Sequence, residues 1–195
     1  MAIANSFVPV VVTREPDGNV THQDLYSRLL KDRIVMVDGE IEPHMASILV
    51  AEMLYLQSED SQEPIKMYIS SPGGHITAGF SIVSTMRIVS CPVHVYAHGL
   101  VASMATVIAS SGEKGHRFVL PNTRTMLHQA SSGMEGNVQD MHVALEETTK
   151  VNEMTLGILA QNCGKTVQEL KDATVRDKWL SDAEAVDFGI FDKVL

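Results

Sequence analysis

Apolar positions along the chain fall into short runs whose period changes, and each change marks the end of one element and the start of another. Phe7–Thr13 is β-branched, but Pro9 demotes it to an edge strand or a loose segment, and Pro16-Asp17-Gly18-Asn19 is a turn signal. The pattern then predicts a helix over His22–Leu30 and a strand over Arg33–Val37 closed by Asp38-Gly39. A helix opening at Pro43 follows, with Met45, Ile48, Leu49, Met53 and Leu56 on one face. Next come strand Ile65–Ser70, the turn Ser71-Pro72-Gly73-Gly74 and helix Ile76–Val89. Val93–Tyr96 alternates in the β manner and Gly99 supplies a turn. Small and apolar residues then run from Val101 to Ser111-Gly112 without a breaker, which predicts a helix carrying Ser103 in its first turn. Arg117–Leu120 and Arg124–His128 read as two short strands around Pro121-Asn122.

Repeated alternation of strand and helix predicts βαβ units, a parallel sheet and helical cover, the α/β class. The later part differs. After the Gly-containing stretch Ser131–Gly136, a long helix is predicted from about Asn137, which can cap it, to Cys163, with Gly164 able to end it. Its stripe of Val138, Met141, Leu145, Thr148, Val151, Thr155 and Ile158 is more mixed than a core helix. Two readings stay open: this face packs against another subunit, or it packs on the chain's own sheet. A helix over Asp182–Phe188 and a strand over Ile190–Val194 follow. No repeat, linker or low-complexity tract divides the chain, so residues 1–195 read as a single domain.

Composition narrows the function classes. With 45% hydrophobic and 20% charged residues the chain is of ordinary globular make-up. A net charge of −9 and the lack of any Lys/Arg cluster argue against a nucleic-acid partner. Cys91 and Cys163 lie far apart without a CxxC, which suggests reduced thiols and a cytoplasmic setting. No apolar run reaches the roughly 20 residues of a membrane span, and Met1–Phe7 is too short for a targeting signal.

Chemistry enters at Ser103. A serine between a strand and a helix faces the free N–H groups of the helix start, where developing negative charge is stabilised. The plain reading is that small residues let a buried helix pack closely. A serine nucleophile needs a base held in the right tautomer. Of eight histidines, His22, His44, His116 and His142 read as solvent-facing, and His94 and His98 share a strand face without a third metal ligand. His75 and His98 could lie near Ser103, but His128 is best placed, because it ends a strand and precedes a polar loop. Asp177, between Arg176 and Lys178, could orient the base or be a surface salt-bridge residue. Gly73-Gly74 is a plain turn, or a backbone able to bring an N–H close to a reacting carbonyl.

Together these residues carry a resemblance. Ser70-Ser71-Pro72-Gly73-Gly74-His75-Ile76-Thr77-Ala78-Gly79, Ala102-Ser103-Met104-Ala105, Leu120-Pro121-Asn122-Thr123-Arg124-Thr125-Met126-Leu127-His128-Gln129 and Arg176-Asp177-Lys178-Trp179-Leu180-Ser181 closely resemble the proteolytic-subunit family of the Clp protease, self-compartmentalised serine peptidases. Tyr26–Arg33 and Ala183–Gly189 match as well, so the likeness runs from about Val8 onward. It implies Ser103 as nucleophile, His128 as general base, Asp177 as the acid orienting His128, and the amides of Gly74 and Met104 as the oxyanion hole. It also implies that a polypeptide substrate lies extended between Gly73, His75 and Ile76 on one side and Ser132, Gly133 and Met134 on the other.

The implied fold is a crotonase-like α/β spiral with residues 131–163 as a projecting handle and 1–21 as an axial loop segment. The implied assembly is a homo-oligomer of two stacked heptameric rings fed by an AAA+ unfoldase that consumes ATP, with no metal or organic cofactor in this chain. Three positions depart from the family's usual pattern. Ala130 stands where a proline is usual, which removes a φ restraint just after His128, and Glu135 stands where a neutral glutamine is common. Lys66 replaces an aromatic or apolar residue in the pocket that grips the unfoldase, and would weaken docking unless its stem packs and its charge reaches water. Two other readings compete: a catalytically latent ring subunit, and an acyl-CoA enzyme of the crotonase type.

Overall fold

The computed structural model describes residues 8–14, 18–131, 133 and 136–195. In chain order the elements are β1 (Val10–Arg14), β2 (Val20–Asp24), α1 (Leu25–Lys31), β3 (Ile34–Asp38), α2 (Pro43–Glu59), β4 (Ile65–Ser71), α3 (Ile76–Ile88) and β5 (Val93–Ala102). They continue with α4 (Met104–Ser110), β6 (Arg117–Val119), β7 (Arg124–Leu127), α5 (Val138–Cys163), α6 (Val167–Ala173), β8 (Lys178–Leu180), α7 (Asp182–Phe188) and β9 (Lys193–Val194).

β1 and β2 form an antiparallel pair, with Val12 opposite His22. The helix predicted from His22 therefore starts later. β-branched Val20 and Thr21 extend the strand, and the Asp24 side chain caps α1 by accepting from Ser27 N–H at 3.0 Å. The main sheet runs β3-β4-β5-β6-β9 with every pairing parallel, while β7 pairs with β5 in parallel and with β8 antiparallel. Odd-numbered residues of the central strands up to Ala97, Met67, Ile69 and Val95 among them, are buried. They pack beneath Ala46, Leu49, Met53 and Leu56 of α2 and Ile82 and Val83 of α3, each large side chain contributing about 1.5–3 kcal/mol. Ile48, expected on the same face of α2, is 46% exposed, because the buried row is set by 46, 49, 53 and 56.

The opposite face is only half covered. Across it run two rows: Tyr68, Tyr96 and Phe118, with successive ring centroids 4.8 and 5.2 Å apart, and Lys66, His94 and His116, whose imidazoles stack at 4.1 Å. Parallel sheets are normally covered on both sides, so this face is incomplete in a single chain.

β5 is the axis of the fold. Its first half pairs with β4 and β6, and its second half, Leu100–Ala102, pairs with β7. Gly99, expected as a turn, lies within this strand. The register advances two residues on β4 (Ile69 to Ser71) against four on β5 (Ala97 to Val101), so the excess is absorbed around His98-Gly99. The helix expected from Val101 begins only at Met104, because Val101 and Ala102 stay in the sheet beside Thr125 and Met126.

α5 starts at Asn137, whose side chain accepts from Asp140 N–H at 3.0 Å, and ends at Gly164 in the left-handed conformation. The two halves of the helix differ in burial. Leu156, Leu159 and Ala160 are buried in the chain's own core, whereas Val138, Val143, Leu145 and Met154 are exposed at 74, 66, 53 and 56%. The short α6 is not among the elements the apolar pattern predicts, although Thr166 and Glu169 form a capping box at its start. Arg117, 4% exposed, ties β6 to the segment before β9. Its Nε donates to Asp192 Oδ2 at 2.9 Å, Nη2 pairs with Oδ1, and Nη1 donates to the carbonyls of Ser110 and Asn162. Cys91 is buried and Cys163 partly so. Burial pushes the Cys163 thiol up to about 11 against the opposing pull of Arg117 and Lys165. Among the described residues, no helix is long and apolar enough to cross a membrane.

Candidate active site

Ser103 sits at the N-cap of α4, at φ 57° and ψ −126°, in a sparsely populated backbone region. The surroundings over-determine that conformation. Ser103 N–H donates to Met126 O at 2.9 Å, and the fully buried Thr106 hydroxyl donates to both Val101 O (3.0 Å) and Met126 O (2.9 Å). Strand end and helix start are thus stitched to β7, and the Ser103 side chain is turned away from the helix it would otherwise cap.

The hydroxyl meets His128, whose Nε2 lies 2.7 Å from Ser103 Oγ. His128 follows the last residue of β7, so the same pairing that fixes Ser103 also fixes the imidazole. Of the candidate bases, His128 is the one that reaches Ser103; His75 is instead hydrogen-bonded through Nδ1 to Thr77 Oγ1 at 3.0 Å. Asp177 arrives by register. Antiparallel pairing sets Lys178 opposite Leu127, which brings the preceding Asp177 alongside His128. Its Oδ1 lies 4.0 Å from His128 Nδ1 and its side chain is 62% exposed, a distance too long for a hydrogen bond. Three residues far apart in sequence therefore converge, but only the first link is closed.

Two glycines bring the end of β4 against Ser103. A Cβ on Gly73 would stand 2.6 Å from Ser103 Cβ and 2.7 Å from Ala102 O, and its φ of 94° is also unsuited to a side chain. The next residues are held by Ile41, whose N–H donates to Gly73 O (2.8 Å) and whose carbonyl accepts from His75 N–H (2.8 Å). In a parallel bridge of this kind the intervening residue, Gly74, directs its own N–H to the opposite side, where Gly73 abuts Ser103. Met104 N–H, at the first position of α4, has no partner within the helix. Two backbone donors are therefore available around the serine hydroxyl. Ile41 is the residue missed from sequence; it lies more than thirty positions from Gly73 and carries no local signal.

Beside Ser103 and His128 is an apolar recess made by Ile76, Met104, Val107, Leu127, Thr155 and Leu159. A groove of about 420 Å³ continues from it past Gly74, His75, Ile76 and Ala130 to Ala144, Thr148 and Val151 of α5. Gly133 is described but lies outside this lining; Ser132 and Met134, the other residues expected on that side, and Glu135 lie outside the described residues. So does part of the N-terminal segment, residues 1–7 and 15–17.

Known proteins share this arrangement of sequence. The family model described as Clp protease matches residues 17–195. The ATP-dependent Clp protease proteolytic subunit of Streptococcus agalactiae serotype V is 40% identical over 190 residues, covering 96% of each chain. Proteins of the same name from Streptococcus pyogenes serotype M5 and Streptococcus equi subsp. equi are 42% identical over 190 residues, again covering 96% of each chain.

Proposed function

The chain belongs to the Clp protease family and is a serine endopeptidase of that class, and on that premise we propose that Ser103 is its nucleophile, His128 its general base and Asp177 the acid that orients His128. The observation that carries this assignment is the 2.7 Å contact between Ser103 Oγ and His128 Nε2 at the start of a helix. Nε2 takes the hydroxyl proton as Oγ attacks the scissile carbonyl. The oxyanion is met by the N–H groups of Gly74 and Met104, each such donor being worth about 10²–10³ in rate. His128 then returns the proton to the leaving amine, and water repeats the sequence on the acyl-enzyme.

The substrate polypeptide lies extended along the groove beside Gly73, His75 and Ile76 and is read mainly through its backbone. The exposed apolar half of α5 is the handle that meets a second ring, and the half-covered sheet face receives an ATP-consuming unfoldase. The domain is single, the setting cytoplasmic, and the β1–β2 pair belongs to the axial segment. Lys66, in the basic row beside His94, makes that docking face less apolar than the family's usual pattern.

One observation favours a second reading, the latent subunit: Asp177 is exposed and 4.0 Å from His128, so the site of a single chain is unfinished. Hydrolysis of a short fluorogenic peptide, run beside labelling with a fluorophosphonate and peptide mapping, separates the two. Turnover with the label on Ser103 is expected. An assembled protein that neither cleaves nor labels would establish latency and overturn the assignment.

Gly73→Ala tests the close approach independently. The new methyl cannot fit against Ala102 O without moving the Ser103 backbone, so kcat is expected to fall about 10²-fold, as for a displacement of about 1 Å, with the fold retained. Wild-type turnover in this variant would show that Gly73 does not set the elbow.

A further inference from the structure

His128 and Gln129 are followed by Ala130, whose backbone N–H donates to Asn152 Oδ1 of α5 at 2.9 Å. A proline at this place has no N–H to give, and fixes φ through its ring instead. The contact therefore exists only because residue 130 is not proline. It also comes from an unusual direction, spanning twenty-two positions from the strand end that carries the imidazole to a helix otherwise known by its exposed face.

The acceptor is well anchored. Asn152 lies one turn before Leu156, the first residue at which α5 becomes fully buried, so its side chain projects from the part of the helix fixed in the core. Its neighbours Val151 and Thr155 both border the site, the first in the groove with Ala130 and the second in the recess with Ser103 and His128. Nothing in the proton transfer calls on an amide side chain here, and Asn152 does not touch the serine or the imidazole. What it touches is the backbone between the base and the stretch that leads into α5.

We propose that Asn152 is a positioning residue: through its hydrogen bond to Ala130 N–H it holds the turn after His128, replacing with a side-chain contact the restraint that a proline ring would supply. The inference rests on the reading of His128 as general base. Without the contact, Ala130 is free to leave its conformation and the imidazole loses the register that keeps Nε2 on Ser103 Oγ. Because α5 also carries the exposed apolar row, the base is mechanically joined to that helix.

The test is a double-mutant cycle on peptide hydrolysis, with assembly checked on a sizing column. Asn152→Leu is expected to lower kcat about tenfold with KM changed less than about twofold, the signature of a misplaced base rather than weakened binding. Asn152→Asp keeps an acceptor oxygen and is expected to stay near wild type. Ala130→Pro abolishes the hydrogen bond and supplies the ring restraint in its place, so whatever the rate of that variant itself, Asn152→Leu is expected to cost nothing further in that background. Equal losses from Asn152→Leu in both backgrounds would overturn the proposal, since Asn152 would then act on something other than residue 130. So would a tenfold loss of kcat in Asn152→Asp, which keeps the acceptor and serves even where Asn152→Leu fails to fold. Labelling of Ser103 in the parent protein keeps the two ideas apart: its absence sinks the assignment of His128, whereas its presence with a failed cycle sinks only the role of Asn152.

Discussion

Ser103→Ala is expected to lower peptide hydrolysis by roughly 10³ or more while leaving assembly and melting temperature intact. The argument is structural as well as chemical. Ser103 N–H, not its side chain, is bonded to Met126, and Thr106 does the rest of the stitching, so removing Oγ breaks only the contact with His128. What remains in the variant is the backbone donors and the groove, which on their own give a small residual rate. The measurement is kcat/KM on a fluorogenic peptide beside a sizing profile. A variant that retained activity would remove Ser103 from the reaction altogether.

Asp192→Asn is expected to have the largest effect on stability. Arg117 is nearly fully buried, and its guanidinium is held by Asp192 together with the Ser110 and Asn162 carbonyls. Neutralising the one anion leaves a cation without its charge partner. Since Asp192 keeps some exposure, a cost of about 3 kcal/mol is expected, against about 5–15 kcal/mol for a whole domain. Thermal unfolding should show it as a fall of about 10 °C.

The same pair sets a pH dependence. Burial of Asp192 opposes its charge, but hydrogen bonds from the Arg117 side chain and backbone, and the guanidinium charge itself, outweigh this and hold the carboxyl below its usual range. A depressed pKa stabilises the folded state in full above the unfolded value of about 3.9, and the contribution is lost as pH falls through the folded value. Urea midpoints taken downward from pH 6 should therefore drop for the wild type, with this component absent from Asp192→Asn. Parallel curves would show that the pair carries no pH-dependent stability.

Elements with a strong period or a cap were legible in the sequence. Helix α5 is legible to its ends because Asn137 and Gly164 both mark it, and α3 because Gly73-Gly74 stops the strand before it. His128 was legible as the candidate base because it ends a strand, and Asp177 as a candidate because the motif around it is distinctive. Where the reading failed, tertiary pairing overrode local preference. Val101 and Ala102 have neighbours that favour helix, yet β7 captures them as strand; Gly99 signals a turn, yet β4 and β6 keep its surroundings in the sheet. Neither partner is near in sequence. The same is true of Ile41 at the glycine turn and Asn152 at Ala130, whose contacts are with residues more than twenty positions away.

At Ser103, folding and chemistry want different residues. The position has a positive φ that glycine adopts freely, and it opens α4, a helix whose every residue is buried and which starts without a side-chain cap. A sequence selected for thermal endurance alone would put glycine there. With serine at this position, Thr106 and the β7 carbonyl hold a conformation the residue itself disfavours. Libraries screened only for heat resistance should accordingly drift toward glycine at 103, gaining robustness as they lose the hydroxyl that meets His128.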